Sequence, residues 1–184
     1  MQPVLSCRDD NGRFLTWMSP FGPFGMPNDD DPIVNANVIT YLGDREETRP
    51  VQRWIERLIV EDRVPGSSIW YNPMDLYYSV SRASCVAPPA FEAARPALGN
   101  RIREVAPQTA YRAAQIISSL DMLADGTNAG PMARCAAQLV DMQRADGGWP
   151  PTEFLRAPEG SRIYVCEALT AAYCVEALSR LARP

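Results

Sequence analysis

The sequence predicts an all-α protein of about seven helices in antiparallel hairpins, and three observations predict it. Apolar residues recur at helical spacing through most of the 184 residues. No segment alternates apolar and polar residues with the period of two that a half-buried strand needs. The expected helices also differ in kind. Some carry one apolar stripe and others are apolar around most of their circumference, as an outer and an inner layer would be. The length suits one domain, residues 1–184, with a sizeable core.

Residues 1–30 read as an ordered N-terminal loop region. Glycines, prolines and aromatics crowd residues 7–27 without steady periodicity, and Phe14, Trp17, Phe21 and Phe24 require apolar surroundings. Asp31-Pro32 then has the form of a helix N-cap with proline at the first helical position, where its missing N–H costs nothing. The helix that follows carries Val34, Val38 and Leu42 on one stripe, includes Asn35 and Asn37 as unusual polar members, and stops at Gly43. Thr48 reads as the next N-cap. Behind it Val51, Trp54, Ile55, Leu58 and Ile59 oppose Arg49, Arg53, Glu56, Arg57 and Glu61.

The break at residues 64–73 leads into a short helix presenting Tyr77, Tyr78 and Arg82. After a proline-rich link at 87–89, Phe91, Ala94, Leu98, Ile102 and Val105 resume helical spacing, with Pro96 marking a start or a bend. Ala110, Ala113, Ala114, Ile117, Leu120 and Leu123 form another stripe that ends at Asp125-Gly126. Asn128 opens a helix bearing Met132, Cys135, Ala136, Leu139 and Val140 on one side. The last helix, predicted over 162–182, is apolar on most of its surface.

Composition removes whole classes of function. A net charge of -4 and a pI near 4.9 argue against a nucleic-acid or anionic-membrane surface. All 18 cations are arginine and there is no histidine, so Schiff-base lysines, histidine-based triads and histidine metal sites are excluded. The five cysteines, at 7, 85, 135, 166 and 174, form no C-x-x-C pair and read as buried thiols of a cytosolic protein. No run approaches the ~18 apolar residues of a membrane span, and residues 1–7 lack the features of a signal peptide. The expected location is the cytoplasm.

Asp29, Asp30 and Asp31 stand together ahead of the first long helix. Adjacent carboxylates resist ionising together, and at a helix start facing an apolar interior one of them can stay protonated and serve as a strong general acid. The alternative roles are structural, an N-cap for Asp31 and a solvated loop charge for Asp29, with Asp30 open to either reading. Adjacent side chains point in different directions, so the triplet suits a metal poorly. No metal and no cofactor are expected.

A weak repeat is present as well. Gly12 with Phe14, Gly66 with Trp70, and Gly147 with Trp149 each put glycine before an aromatic in the loop ahead of an inner-type helix, as in a helical array or toroid. Gln143 to Trp149 has the form Q-x-x-x-G-x-W. It resembles the QW repeat of squalene-hopene and oxidosqualene cyclases, whose α/α toroid is shared by class II diterpene cyclases and protein prenyltransferase β subunits. Arg8, Gly12 and Phe14 stand as a decayed copy of the motif. In physical terms the glutamine can bond a neighbouring helix end while the tryptophan stacks on the loop.

Asn28-Asp29-Asp30-Asp31 resembles the D-x-D-D acid motif of class II terpenoid cyclases, with asparagine in the first aspartate's place. The resemblance implies a partial α/α toroid and an acid-initiated cyclisation or isomerisation of an apolar isoprenoid or polycyclic substrate, with Asp30 as proton donor between Asp29 and Asp31. Carbocations need aromatic faces and a dry pocket. Trp70, Tyr71, Tyr77, Tyr78, Tyr111 and Tyr164 are the candidate faces. Asn35, Arg82 and Glu167 join them as polar substrate-contacting candidates, although Arg82 and Glu167 can instead pair with each other or with Asp30. The alternative is a non-catalytic module of the same fold that binds a lipid or a partner helix. A complete toroid of about twelve helices at ~25 residues each needs ~300 residues. The 184 residues here cannot close the ring, so a homodimer is expected, with the aromatic N-terminal loop covering the open side.

Overall fold

A computed structural model of the protein describes residues 2–19, 21–124, 126–157 and 163–182. Among them are eight α-helices: α1 (Gln2–Ser6), α2 (Pro32–Leu42), α3 (Arg49–Val60), α4 (Pro73–Val86), α5 (Arg95–Glu104), α6 (Ala110–Leu123), α7 (Ala129–Asp141) and α8 (Glu167–Leu181). Strands β1 (Glu153–Arg156) and β2 (Ile163–Val165) form an antiparallel pair that matches Leu155 with Tyr164 and Arg156 with Ile163. The protein is thus mostly helical, with one small sheet.

The packing follows the alternation in the sequence. Helix α4 lies between α2 and α6, and α6 lies between α4 and α8, so the even-numbered helices form one continuous row. Helix α3 packs on α2 and α5, α5 also packs on α6, and α7 packs on α6. Helices α4 and α6 are buried around most of their circumference, whereas α3 buries only the face of Val51, Gln52, Ile55, Leu58 and Ile59.

Local signals explain the boundaries. Asp31 caps α2, its carboxylate accepting from the N–H groups of Ile33 and Val34, and Gly43 ends the helix at φ 78°. Asn72 and Asp75 form a reciprocal capping box on α4, with Pro73 at the first turn. Pro96 lies in the first turn of α5, so it marks a start and not a bend. Helix α6 stops at Ala124, which takes a left-handed conformation; Asp125 of the expected stop lies outside the described residues.

Several expectations are corrected. Residues 163–165 are strand and not the first turn of the last helix, which starts at Glu167; Arg162 lies outside the described residues. The run Ile163-Tyr164-Val165 is β-branched and aromatic, and so short an apolar run has no period to separate strand from helix. The N-terminal region is not all loop, since it begins with α1 and contains a 3-10 turn at Pro23–Gly25. Thr48 makes no side-chain cap on α3; its hydroxyl donates to the Gly43 carbonyl at 2.9 Å and accepts from the Arg45 N–H at 3.1 Å, stitching the end of α2 to α3. Asn128 stands at the N-cap position and opens α7 as expected, but its buried amide donates to the Leu120 carbonyl at 2.8 Å and makes no side-chain cap. The stripe of α2 is also displaced: Ile33, Ala36, Ile39 and Leu42 are buried, while Val34 and Val38 are half-buried.

The repeated loops share one turn geometry, with Gly12, Gly66 and Gly147 at φ 78°, 78° and 84°, where a side chain would be strained. In the Gln143–Trp149 loop the expected bonds exchange roles. The buried Trp149 donates its indole N–H to the Leu139 carbonyl near the end of α7 at 2.8 Å, and Gln143 closes the loop by donating to the Gly147 carbonyl at 2.8 Å.

Candidate functional site

Two adjoining cavities lie against the row of even-numbered helices. The smaller, about 180 Å³, takes lining residues from all four: Ile33 and Asn37 of α2, Tyr78, Ser79 and Arg82 of α4, Tyr111 and Gln115 of α6, and Leu169 and Tyr173 of α8. The larger, about 600 Å³, opens beside the N-terminal ends of α4 and α6 and is bordered by Trp70, Asn72, Thr109, Arg112, Leu155 and Arg156. Tyr71, Asp75 and Phe154 line both.

Asp75 is the polar centre of this region. It is 5% exposed, and its carboxylate accepts from Arg112 at 2.7 and 3.2 Å, from Gln115 Nε2 at 2.9 Å, from the Tyr111 hydroxyl at 3.2 Å and from the Asn72 N–H at 2.9 Å. A buried ion pair is tolerated only when its remaining donors and acceptors are met in this way. Beside it three tyrosines converge, with the Tyr173 ring 5.1 Å from Tyr78 and 4.8 Å from Tyr111. Burial pushes the phenols of Tyr78, Tyr111 and Tyr173 above their ordinary range, so each is neutral at pH 7. Tyr78 donates to Glu176 at 3.2 Å.

The acidic triplet is held elsewhere. Asp31 is 3% exposed, accepts from Ile33 at 2.8 Å and Val34 at 3.3 Å, and receives the Ser68 hydroxyl on its other oxygen. Burial raises its pKa, the three hydrogen bonds oppose the rise, and the charge of Asp29 adds to it. Asp29 accepts from the Trp70 indole at 3.1 Å, and its buried Oδ1 has no partner among the described residues. Asp30 pairs with Arg13 at 2.6 Å, both side chains about a third exposed, and the Arg13 guanidinium lies 4.4 Å from the Trp54 ring centre. None of the three aspartates lines either cavity. Together they tie the N-terminal loop to the segment before α4.

Of the other residues singled out in the sequence, Trp70, Tyr71, Tyr78, Arg82 and Tyr111 line the cavities. Four do not. Asn35 is wholly buried and holds the backbone of Phe14. Tyr77 is buried but sits among the charges of Arg101, Asp62 and Glu104 on the α5 side. Tyr164 is exposed on β2, and Glu167 is exposed and paired with Arg144, so it meets neither Arg82 nor Asp30. Asp75, Arg112, Gln115, Phe154 and Tyr173 complete the site without having been singled out; only Asp75 carried a signal, as the last member of the capping box Asn72-x-x-Asp75. The aromatic loop residues also separate: Phe14 is buried, Trp17 packs edge-on to Trp70 at 5.9 Å, Phe21 is exposed, and the Phe24 side chain lies outside what is described.

Among the described residues no three Cys, Asp or Glu side chains converge on a point that could hold a metal ion. No helix among them is long and apolar enough to cross a membrane. No family model matches the chain, and no curated protein does.

Proposed function

We propose that this chain is a ligand-binding module of the α/α-toroid type, holding a small molecule with an apolar body against the faces of Tyr78, Tyr111 and Tyr173. One observation carries this reading: every even-numbered helix contributes side chains to one cavity, as inner helices do around a central site. The larger cavity, at about 600 Å³, falls within the usual range of ligand sites, and its shared border with the smaller one lets a ligand extend from one to the other. The resemblance of Gln143–Trp149 to the QW repeat supports the same architecture. Mass spectrometry of an organic extract of the purified protein tests it, together with calorimetric titration of medium-chain alcohols and acids. The expected result is a stoichiometric apolar ligand whose binding falls at least tenfold in Tyr173→Ala. Failure of every probe to bind ligand-free protein overturns the reading.

A second reading is acid-initiated cyclisation or isomerisation of an isoprenoid with Asp30 as donor. The burial of Asp31, with the charge of Asp29 adding to the rise of its pKa, is the observation in its favour; Asp30 itself is paired with Arg13 and lines neither cavity. Asp30→Asn should then abolish product formation from an isoprenoid panel while leaving the melting temperature unchanged. Equal conversion by variant and wild type ends this reading.

A further inference from the structure

Three polar side chains lining the smaller cavity make no hydrogen bond with another described residue. Arg82 makes no hydrogen bond or ion pair with a described residue, and its guanidinium rests 5.8 Å from the centre of the Tyr78 ring. Ser79, three residues before Arg82 and 4% exposed, has a hydroxyl without a partner among the described residues, and so has the amide of Asn37, which is exposed at the cavity's α2 edge. All three line the same cavity. A half-buried guanidinium without a carboxylate is costly, and a protein of net charge -4 has no shortage of carboxylates to offer it. The acidic groups beside the same tyrosines are already committed: Asp75 to Arg112, and Glu176 to Arg180 at 2.9 Å.

We propose that Arg82, with Ser79 and Asn37, is the anchor for the carboxylate of an amphiphilic monocarboxylic acid whose apolar body runs along the tyrosine faces toward Phe154. This inference rests on the ligand-binding reading above and names the class of ligand. A planar carboxylate matches one guanidinium fork and two neutral donors, and its single charge is balanced by Arg82, the one cation among the residues lining this cavity. A diphosphate brings several charges to a cavity of about 180 Å³ that also borders Asp75. The body suits aromatic contact, since five aromatic side chains, with Ile33 and Leu169, line the same cavity.

The test is calorimetric titration of ligand-free protein at pH 7 with octanoate, octanol and octyl phosphate, each against wild type, Arg82→Gln and Arg82→Lys. Octanoate should bind wild type at least tenfold more tightly than octanol. Arg82→Gln should bring octanoate down to the octanol level and leave octanol unchanged, while Arg82→Lys retains part of the preference. Equal binding of octanoate and octanol to wild type overturns the carboxylate anchor and leaves the ligand-binding reading standing. Tighter binding of octyl phosphate than of octanoate overturns the choice of carboxylate. Absence of binding by all three overturns both. The comparison of octanoate with octanol on wild-type protein decides the matter even if Arg82→Gln fails to fold.

Discussion

Asn35 holds Phe14 by both of its backbone polar groups, Oδ1 accepting from the Phe14 N–H at 2.8 Å and Nδ2 donating to its carbonyl at 2.7 Å. The amide of a helix residue thus does for a loop what a paired strand would do, and the Phe14 ring is only 1% exposed. A buried backbone group left without a partner costs about 1–3 kcal/mol. Asn35→Ala strips two such groups at once, so it should lower the unfolding free energy by about 3 kcal/mol in urea titration. A change below about 0.5 kcal/mol would mean that water or a local shift replaces the clamp.

The pKa of Asp31 is raised above its ordinary 3.8, chiefly by burial. A carboxyl group with a raised folded-state pKa contributes stability that is fully present below the unfolded value and is lost as pH rises through the folded value. Asparagine keeps the cap and does not titrate. The melting temperature of Asp31→Asn should therefore gain on wild type as pH is raised from about 3.8 to 7. A difference that moves the other way means that the Ser68, Ile33 and Val34 hydrogen bonds outweigh burial. Asp31→Ala, which removes the cap altogether, should cost ~1 kcal/mol.

Asp75 and Arg112 have side chains 6% and 15% exposed. Removing one member of so buried a pair leaves an uncompensated charge, at about 3–5 kcal/mol. Asp75→Ala and Arg112→Ala should each destabilise by that order, and the double variant by clearly less than the sum. Additive losses in a double-mutant cycle would show the two side chains to be energetically independent.

The phenols of the buried Tyr77, Tyr78 and Tyr111 and of the half-buried Tyr71 and Tyr173 are all shifted above the ordinary 10. Their neutral forms stabilise the fold up to pH 10, and that contribution is lost as pH rises further. Tyrosinate absorbance from this group should appear together with the loss of near-ultraviolet dichroism in one alkaline transition. Full ionisation of all tyrosines in a protein that keeps its dichroism would contradict the buried cluster.

Helix α8 ends the even-numbered row and leaves Ala168, Ala172 and Val175 exposed, with Ile163, Tyr164 and Val165 exposed on the strand just before it. An apolar surface of this kind is normally covered. We expect a homodimer through this face, seen by light scattering coupled to size exclusion and broken by Val175→Arg. A compact monomer of 20.4 kDa at micromolar concentration excludes it.

Seven of the eight helices, α2 to α8, and several of their ends were legible in the sequence alone. Asp31-Pro32, Gly43 and Pro96 act within one turn of themselves, so neighbouring residues suffice to read them. Burial on all sides leaves no polar stripe, as α4 and α6 show, but α8, read as apolar on most of its surface, buries only the face of Thr170, Cys174 and Ala177. Only the tertiary structure decided what the charged and aromatic side chains do. Asp30 meets Arg13 from 17 positions away, Asp75 meets Arg112 from 37, and Tyr173 reaches Tyr78 and Tyr111 from another helix of the row. A carboxylate's role is set by the charges and the solvent within a few ångströms of it, and those come from wherever the chain folds back. The same distance rule turned Ile163-Tyr164-Val165 into a strand: its partner, Glu153–Arg156, is what gives those backbone groups their hydrogen bonds.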